Sequence, residues 1–247
     1  MSRFKKLRYY LSFWSAIKIY WLLKTKQLKS IPLNGLKHSF TMRDTASDYA
    51  TFIEVLLKKD YTLPFDFSPK IIIDAGGNIG LSAIFFANKF PKAQIITIEP
   101  DAGNFTVLNR NILKYPNITA LNRGIWTHEC MLNVIDKGEG ENSFTVEEAI
   151  TADTNSISAI SIHQLKKEQG WPNIDLLKID IEGTEKNIFE SNYEHWLPYT
   201  KVFFVETHDR IKKGCSAAVF KAVSKYNFSC MVAGENLLFI NEDLLTW

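Results

Sequence analysis

The stretch that decides the fold is Ile71-Ile72-Ile73-Asp74-Ala75-Gly76-Gly77-Asn78-Ile79-Gly80. An apolar run that ends in an acid and enters a glycine-rich turn predicts a buried strand, a tight turn and then a helix. Gly76 is expected to let the backbone turn tightly, and Gly80 to let the helix pack close to the strand. Strand–turn–helix units of this kind bind nucleotide-type ligands.

The glycine spacing differs from the dinucleotide pattern GxGxxG, because the last glycine falls one residue early and Leu81 occupies the place it would need. Asp74, two residues before Gly76, is a poor neighbour for a pyrophosphate. It suits a cationic ligand, such as a cofactor with a sulfonium and an ammonium group and no phosphate. An ordinary glycine turn of an α/β protein is the other interpretation of so short a pattern.

Apolar strands alternate with amphipathic helices along the rest of the chain, which predicts a doubly wound, mostly parallel α/β sheet. Two final strands around residues 233–236 predict a C-terminal antiparallel hairpin. The expected strands are 70–74, 94–98, 118–121, 132–135, 157–162, 176–181, 202–207, 228–232 and 237–240. The expected helices are 48–59, 79–88, 102–113 and 217–225.

The second of these strands ends in Glu99, 25 residues after Asp74. An acid at the carboxyl end of this strand can accept two hydrogen bonds from a ribose diol, a device that NAD enzymes share. Alternatively, Glu99 favours the N-terminus of the next helix, since Pro100 fits a first helical turn.

A third acidic segment is Asp175-Leu-Leu-Lys-Ile-Asp-Ile-Glu-Gly-Thr-Glu185. Its strand delivers Asp180 and Glu182 to the carboxyl edge of the sheet, where open α/β sheets bind ligands. So many charges are costly to bury for structure alone, which favours a functional role for Asp180 and Glu182. For Glu185, stabilisation of the next helix is a sufficient explanation.

These segments resemble the FkbM family of methyltransferases, and the likeness runs from about Arg43 to Ile240. The matching stretches are 74–80, Glu99-Pro100, 175–185 and Val205-Glu206-Thr-His208, preceded by Arg43, Ser47-Asp48 and Tyr61. The resemblance implies a Rossmann-like class I methyltransferase that moves a methyl group from S-adenosylmethionine to oxygen. The implied acceptors are hydroxyls of sugars, glycans or related secondary metabolites. Residues 138–152 have no counterpart that we can match, and they are a candidate to shape the acceptor pocket.

Oxygen methylation needs a group that removes the acceptor's proton, and His208 is the candidate base by its ordinary pKa near 6.5. Asp180 and Glu182 could orient His208, bind the acceptor or, with Glu206 and His208, hold a divalent cation. A solvated loop histidine is the alternative for His208. The candidate catalytic residues are thus His208, Asp180 and Glu182, and the candidate cofactor-binding residues are Asp74, Gly76, Asn78, Gly80, Glu99 and Asp180.

The first 42 residues form a basic aromatic arm ahead of a methyltransferase domain expected at residues 43–247. Ten of the 29 Lys and Arg residues precede the first acid, Asp44. The apolar stretch 11–23 is too short to span a bilayer and contains Lys18, and no signal-peptide cleavage site follows it. Aromatic residues at helical spacing among the lysines predict either an interfacial helix that binds an anionic membrane through residues 1–30, or a helix that covers the domain's apolar surface.

Three scattered cysteines, Cys130, Cys215 and Cys230, favour a reducing cytoplasm, with the arm at the inner face of the membrane as a further expectation. Two other classes remain open. Leu81 and Asp74 disfavour a nicotinamide-dependent oxidoreductase. A nucleic-acid methyltransferase or binding protein is suggested by the arm, but the Asn/Asp-Pro-Pro-aromatic signature is absent from the sequence, so no nucleic-acid partner is expected. The acceptor, its regiochemistry and the oligomeric state are left open.

Overall fold

The computed structural model describes residues 3–24, 29–136, 144–149 and 156–245. Its helices are α1 (Arg3–Tyr10), α2 (Phe13–Lys24), α3 (Ala46–Thr51), α4 (Leu81–Lys89), α5 (Ala102–Ile112), α6 (Ile162–Glu168), α7 (Glu185–Glu190) and α8 (Cys215–Val223). Its strands are β1 (Lys29–Ile31), β2 (Phe40–Met42), β3 (Ile71–Ala75), β4 (Gln94–Ile98), β5 (Ile118–Leu121), β6 (Gly124–Ile125), β7 (Met131–Asp136), β8 (Phe144–Glu148), β9 (Ser156–Ile160), β10 (Ile174–Ile179), β11 (Thr200–Val205), β12 (Phe228–Ala233) and β13 (Asn236–Asn241).

A seven-stranded sheet with the order β12–β13–β11–β10–β3–β4–β5 forms the centre of the protein. The five strands from β11 to β5 are parallel, and β13 runs antiparallel to both β11 and β12. The expected doubly wound, mostly parallel sheet with a C-terminal hairpin is therefore confirmed.

The central strands are buried on both faces, as their uninterrupted apolar sequences predict. Successive residues point to opposite faces: Ile72 and Leu176 belong to one hydrophobic core, whereas Ile73 and Leu177 belong to the other. This alternation lets helices cover both faces of the sheet and leaves its carboxyl edge open for the loops that carry the polar residues.

A second, four-stranded sheet has the order β6–β9–β7–β8. It is formed by the segment of the chain between β5 and α6. Strands were expected at 132–135 and 157–162, and both are present. The second ends earlier than expected, because the Ser161 side chain accepts the Gln164 N–H and starts α6 at Ile162. Strand β8 lies within the unmatched stretch 138–152, of which residues 138–143 and 150–152 are outside the described residues.

The helix expected at 48–59 begins earlier and changes its winding. Thr45 caps α3 by accepting the Asp48 N–H, and the chain then continues as a π-helix over Phe52–Lys58. Lys59 ends it in the left-handed conformation, with φ +61°. This widened turn stands over the carboxyl edge of the sheet and contributes to the cavity described below.

The N-terminal arm packs on the domain through one face. Leu7, Ala16, Ile19 and Leu23 are buried in the same core as strand β3. These four residues of α1 and α2 therefore share a core with the remainder of the chain, whereas the aromatic side chains of Tyr9, Trp14 and Trp21 are exposed. In the described part of the chain, we find no helix with the length and apolar character needed to cross a membrane.

Candidate active site

A cavity opens at the carboxyl edge of the main sheet, where five neighbouring strands bring polar groups together. Glu99 follows β4, and Gly76, Gly77 and Asn78 follow β3. Asp180 and Glu182 follow β10, Glu206 follows β11, and Asn236 begins β13. Segments distant in sequence therefore meet at one site, as the parallel topology predicts.

Two close contacts require glycine in the turn after β3. Gly76 has φ +83°, and a Cβ there would lie 1.7 Å from the carbonyl oxygen of Asp180. A Cβ on Gly77 would lie 2.1 Å from Oγ1 of Thr97. Both glycine N–H groups donate to the Ile98 carbonyl, at 3.0 and 2.8 Å. The tight turn predicted at Gly76 is confirmed, whereas the need for Gly77 depends on contacts with β4 that local sequence does not reveal.

Gly80 has a different packing role from the expected one. It begins α4 with φ +85°, and a Cβ there would lie 3.2 Å from Cγ of Leu108 on α5. The close approach is therefore between helices α4 and α5, because the turn has already carried the chain away from β3. Gly80 does not line the cavity, whereas Asn78 does and donates its backbone N–H to Glu99 Oε2 at 2.7 Å.

Asp74 is fully buried under the turn. Its Oδ2 accepts hydrogen bonds from the hydroxyls of Ser82 and Thr97, both at 2.8 Å. Its Oδ1 lies 3.4 Å from Nζ of Lys178. Asp74 does not line the cavity, and the positive charge beside it is that of Lys178. A direct contact between Asp74 and a ligand stays a prediction.

Glu99 is nearly fully buried yet reaches the cavity wall. Besides the bond from Asn78, its Oε1 accepts the Asp101 N–H at 3.0 Å and the Asn104 side-chain amide at 3.2 Å. Burial raises the pKa of Glu99 to about 7, although these hydrogen bonds act in the opposite direction. A carboxylate offers about four acceptor positions, so about one remains for a ligand, where the sequence suggested two.

Arg43 and Asp48, part of the resemblance upstream of the glycine turn, support Glu99 indirectly. The Arg43 guanidinium contacts Asp48 Oδ1 and Asn104 Oδ1, both at 2.7 Å. Asn104 in turn donates to Glu99. The lead-in helix α3 is thereby connected to the carboxylate at the end of β4.

Lys178 joins the two sides of the cavity. Its buried ammonium donates to the Gly76 carbonyl, and lies 3.4 Å from Asp74 Oδ1 and 3.3 Å from Asp180 Oδ2. Burial alone would lower the pKa of Lys178, but the charge of Asp180, with Tyr61 and Asp74, raises it overall. Lys178 is therefore a fixed positive charge between the glycine turn and the acids of β10.

His208 follows β11 and faces a cluster of acids. Its Nε2 lies 3.5 Å from Glu182 Oε2, 3.6 Å from Glu206 Oε1 and 3.7 Å from Asp180 Oδ1. Its Nδ1 lies 3.0 Å from Oε1 of the fully buried Glu185. The structure thus brings together the four residues considered for catalysis or cation binding, and His208 lies behind the carboxylates that line the cavity.

Charge crowding shifts the pKa values of this cluster. Burial, followed by the charge of Asp180, raises the pKa of Glu206 to about 8 and that of Glu182 to about 7. Burial would lower the pKa of His208, but the Glu185 hydrogen bond and the surrounding carboxylates raise it to about 10. The imidazole therefore carries its second proton at neutral pH whenever the carboxylates around it are ionised.

The turn after β10 aims the acids at His208. Glu182 has φ +53° and Gly183 φ +97°, so the chain reverses sharply before α7. Glu185 accepts the N–H groups of Ile181 and Gly183, at 3.0 and 2.8 Å. Glu185 thus stabilises the turn, as one interpretation of the sequence held, and orients His208 as well.

Several cavity residues carried no signal in the sequence. Glu54 of the π-helix lines the cavity, and burial, with the charge of Glu235, raises its pKa to about 7. Asn236, at the start of β13, is buried at the same wall, and Val146 of β8 also contributes to the wall. Nothing local marks these residues, because their positions depend on tertiary contacts.

Comparison with known proteins gives a consistent family. The sequence profile described as the methyltransferase FkbM domain matches residues 74–229. The protein named methyltransferase sdnD, from Sordaria araneosa, is 30% identical over 210 residues, which cover 71% of this chain and 77% of that protein. Methyltransferase 1 of Beauveria bassiana is 26% identical over 176 residues, which cover 58% of this chain and 67% of that protein.

A solved structure, the crystal structure of methyltransferase FkbM from Methylobacillus flagellatus KT, is 15% identical and aligns with a TM-score of 0.49. That alignment covers 96% of this chain and 58% of the other chain. The family profile spans more than half of the present sequence, including the glycine turn, Glu99 and the acid cluster. The chain therefore belongs to the FkbM methyltransferase family.

Proposed function

We propose that the protein is an S-adenosylmethionine-dependent O-methyltransferase that acts on a hydroxyl of a sugar, a glycan or a related secondary metabolite. The observation that carries this proposal is the juxtaposition, in one cavity, of a glycine turn with a buried ribose-type acceptor and a cluster of carboxylates around His208. The first half fits a nucleoside cofactor, and the second fits removal of a proton from a hydroxyl.

The residues of the first half fit S-adenosylmethionine. Gly76 and Gly77 form a tight turn in the cavity wall, and Glu99 keeps an acceptor position toward the cavity. Asp180 supplies negative charge beside them, which suits a ligand with a sulfonium and an ammonium group rather than a pyrophosphate. When bound, S-adenosylmethionine supplies an electrophilic methyl group, so the protein chiefly has to hold and align the acceptor oxygen.

The second half provides the groups that receive the acceptor's proton. An alcohol becomes a good nucleophile only as its proton leaves, and the nearby acceptors are Asp180, Glu182, Glu206 and His208. Since the His208 pKa of about 10 keeps the ring protonated among ionised acids, we assign the proton to the cluster as a whole. His208 holds the carboxylates together, and Glu185 fixes the ring.

A neutral polyhydroxyl acceptor matches the charge of this wall. Glu54, Asp60, Glu206 and Glu235 line the cavity, and carboxylates are strong acceptors for sugar hydroxyls. A phosphate-rich acceptor such as a nucleic acid would meet repulsion here. This wall favours a glycan-type acceptor over a nucleic acid.

The test combines calorimetry with methyl-transfer assays on the purified full chain. S-adenosylmethionine and S-adenosylhomocysteine should bind, and NAD should not. Labelled S-adenosylmethionine should transfer its label to free sugars, nucleotide sugars or lipid-linked oligosaccharides, with the label in a base-stable methyl ether. Binding of NAD alone would indicate an oxidoreductase, and label in DNA or RNA would indicate a nucleic-acid methyltransferase; either result would refute the proposal.

A further inference from the structure

Three carboxylate oxygens surround one imidazole nitrogen without forming hydrogen bonds of normal length. Oxygens of Glu182, Glu206 and Asp180 lie 3.5, 3.6 and 3.7 Å from Nε2 of His208. Direct N–H···O bonds are about 2.7–3.2 Å long. Two neighbouring ligand atoms that are each about 2.0–2.2 Å from one ion lie about 2.8–3.6 Å apart, the shorter value for octahedral and the longer for tetrahedral geometry. The measured distances lie at and just above the upper end of this range, so a common cation would draw these groups together by a few tenths of an ångström.

The ring of His208 is oriented as a metal-binding imidazole is. Metal-bound histidines usually donate their other N–H to a carboxylate, which fixes the tautomer. Glu185 occupies this position at Nδ1, at 3.0 Å, and its own carboxylate is fixed by two backbone N–H groups. Nε2 is consequently the atom that points to the three acids.

An independent observation comes from β13. Asn236 is 3% exposed, and its Oδ1 has no hydrogen-bond partner among the described residues. Asn236 lines the same cavity, and Leu237 pairs with Val205, so Asn236 lies in register beside Glu206. A buried amide oxygen without a donor is costly, and a cation or its bound water satisfies it.

We propose that Asp180, Glu182 and His208 Nε2 bind a divalent cation of the magnesium or manganese type, with Glu206 next to them. The cation takes the place of the Nε2 proton that the ring otherwise carries. Two carboxylate oxygens favour such hard cations, and a single imidazole is compatible with manganese. The role of the cation rests on the proposed function: a bound cation would lower the pKa of the acceptor hydroxyl, whose proton would pass to the carboxylate cluster as the oxygen attacks the methyl group.

Manganese titration of the full chain, stripped with a chelator, tests the site directly. The electron paramagnetic resonance signal of free Mn²⁺ should decrease as one ion binds per chain. Glu182→Gln and Asp180→Asn should each weaken this binding about 10-fold or more. The matched control is Glu148→Gln, because His128, Cys130 and Glu148 form the other possible ligand group among the described residues.

The outcomes separate cleanly. Equal Mn²⁺ affinity in the wild type, Glu182→Gln and Asp180→Asn proteins would overturn the proposal, as would loss of binding only in Glu148→Gln. Two variants guard against misfolding, which unchanged thermal melting of both, and unchanged S-adenosylhomocysteine affinity of Glu182→Gln, would exclude. Full methyl transfer in the presence of a chelator would refute the role of the cation and leave the proposed function intact. Failure to bind S-adenosylhomocysteine would instead refute the proposed function, whatever the Mn²⁺ result.

A second observation stands apart from the active site. The face of α1 and α2 that points away from the domain is rich in exposed aromatic side chains. Trp14 is 78% exposed, Tyr9 79% and Trp21 61%, and Phe13 is also exposed. Exposed bases accompany them on the same two helices: Lys5, Lys6, Arg8, Lys18 and Lys24.

We infer that this arm surface, defined by the exposed aromatic and basic residues of α1 and α2, binds an anionic lipid bilayer. Trp and Tyr beside Lys and Arg are typical of helices that lie in the membrane interface. A second copy of the chain fits less well, because it would bring like charges together. The buried face anchors the arm to the domain through Leu7 and Ile19, so the cavity would be held near membrane-bound acceptors.

Vesicle co-sedimentation tests this surface with the full chain. Binding to vesicles with phosphatidylserine should exceed binding to phosphatidylcholine alone and should fall with salt. Lys6→Glu with Lys18→Glu should weaken it about 30-fold or more. Trp14→Ala with Trp21→Ala should weaken it about 10-fold or more. The matched control is Tyr199→Ala, an exposed aromatic beside Lys166 and away from the arm.

Equal sedimentation of the wild type and both arm variants would refute membrane binding. Concentration-dependent dimerisation abolished by Trp14→Ala and Trp21→Ala, without vesicle binding, would assign the surface to a second copy instead.

Discussion

Replacing Glu99 with alanine gives the most direct test of the cofactor half of the site. Of the carboxylate's about four acceptor positions, three are used by Asn78, Asp101 and Asn104. The ligand thus loses about one charge-assisted hydrogen bond, worth about 1.5–3 kcal/mol. Each 1.4 kcal/mol is tenfold in affinity, so S-adenosylhomocysteine should bind about 10- to 150-fold more weakly.

The same substitution must also affect stability, because the N–H groups of Asn78 and Asp101 lose their acceptor. Isothermal calorimetry measures the affinity, and melting of the ligand-free protein measures the stability. Asp101→Ala is the matched control, since Asp101 caps α5 through the Asn104 N–H. It should lower stability by about 0.5–2 kcal/mol and leave the affinity unchanged. If Glu99→Ala weakens binding no more than Asp101→Ala, Glu99 is a structural residue only.

The pKa of Glu99 adds a pH signature. An acid with a folded-state pKa near 7 and an ordinary value of 4.5 favours the folded state below 4.5, and this contribution is lost as the pH rises through 7. Ligand binding should run in the opposite sense, because the ionised carboxylate is the stronger acceptor. We expect affinity for 5′-methylthioadenosine, which has a ribose but no amino-acid group, to increase about 5-fold through pH 7 in the wild type. A flat profile, or the same step in Glu99→Ala, would contradict this assignment.

Three further predictions concern the remainder of the site. His208→Ala should lower turnover by about 10²- to 10⁴-fold while calorimetric cofactor affinity stays within twofold; a parallel loss of affinity would place His208 in cofactor binding. Gly76→Ala should prevent folding or lower the melting temperature sharply, because its Cβ would collide with backbone, whereas Gly35→Ala, with φ +94° and open space, should cost only about 1 kcal/mol. Lys178→Met should destabilise the protein by about 3–5 kcal/mol in urea titrations, because Asp74 keeps its buried charge with hydroxyl donors but without a cation beside it. Equal effects of the two glycine changes, or an effect of Lys178→Met below about 1 kcal/mol, would contradict the close packing described at the turn.

Much of the main sheet was predictable because its signals are local. An apolar run such as Ile71–Ala75 specifies a buried strand, and a following glycine and acid specify the turn and the edge on which they lie. Parallel topology then places Glu99, Asp180 and Glu206 at one edge without further information. The cluster around His208 was predictable for the same reason.

The remaining features depend on contacts between distant segments. Gly77 is needed because of Thr97 on the neighbouring strand, and the acceptor positions of Glu99 are occupied because α5 returns Asn104 to it. Asn236 reaches the cavity only through the register of the hairpin. Periodicity cannot supply such information, since it describes how each segment folds and not which side chain of another segment meets it.

The two halves of the cavity form one mechanical unit rather than two adjoining sites. The Asp180 carbonyl occupies the space where a side chain on Gly76 would lie, and Lys178 binds both the Gly76 carbonyl and the Asp180 carboxylate. Interiors are close-packed, so a shift of the glycine turn must move β10's acids with it. Alignment of an acceptor atom with a cofactor methyl is sensitive to displacements of about 1 Å. The packing, hydrogen bond and ion pair that connect the glycine turn to the acid cluster therefore fix this alignment before either ligand arrives, which is what a reaction governed by positioning requires.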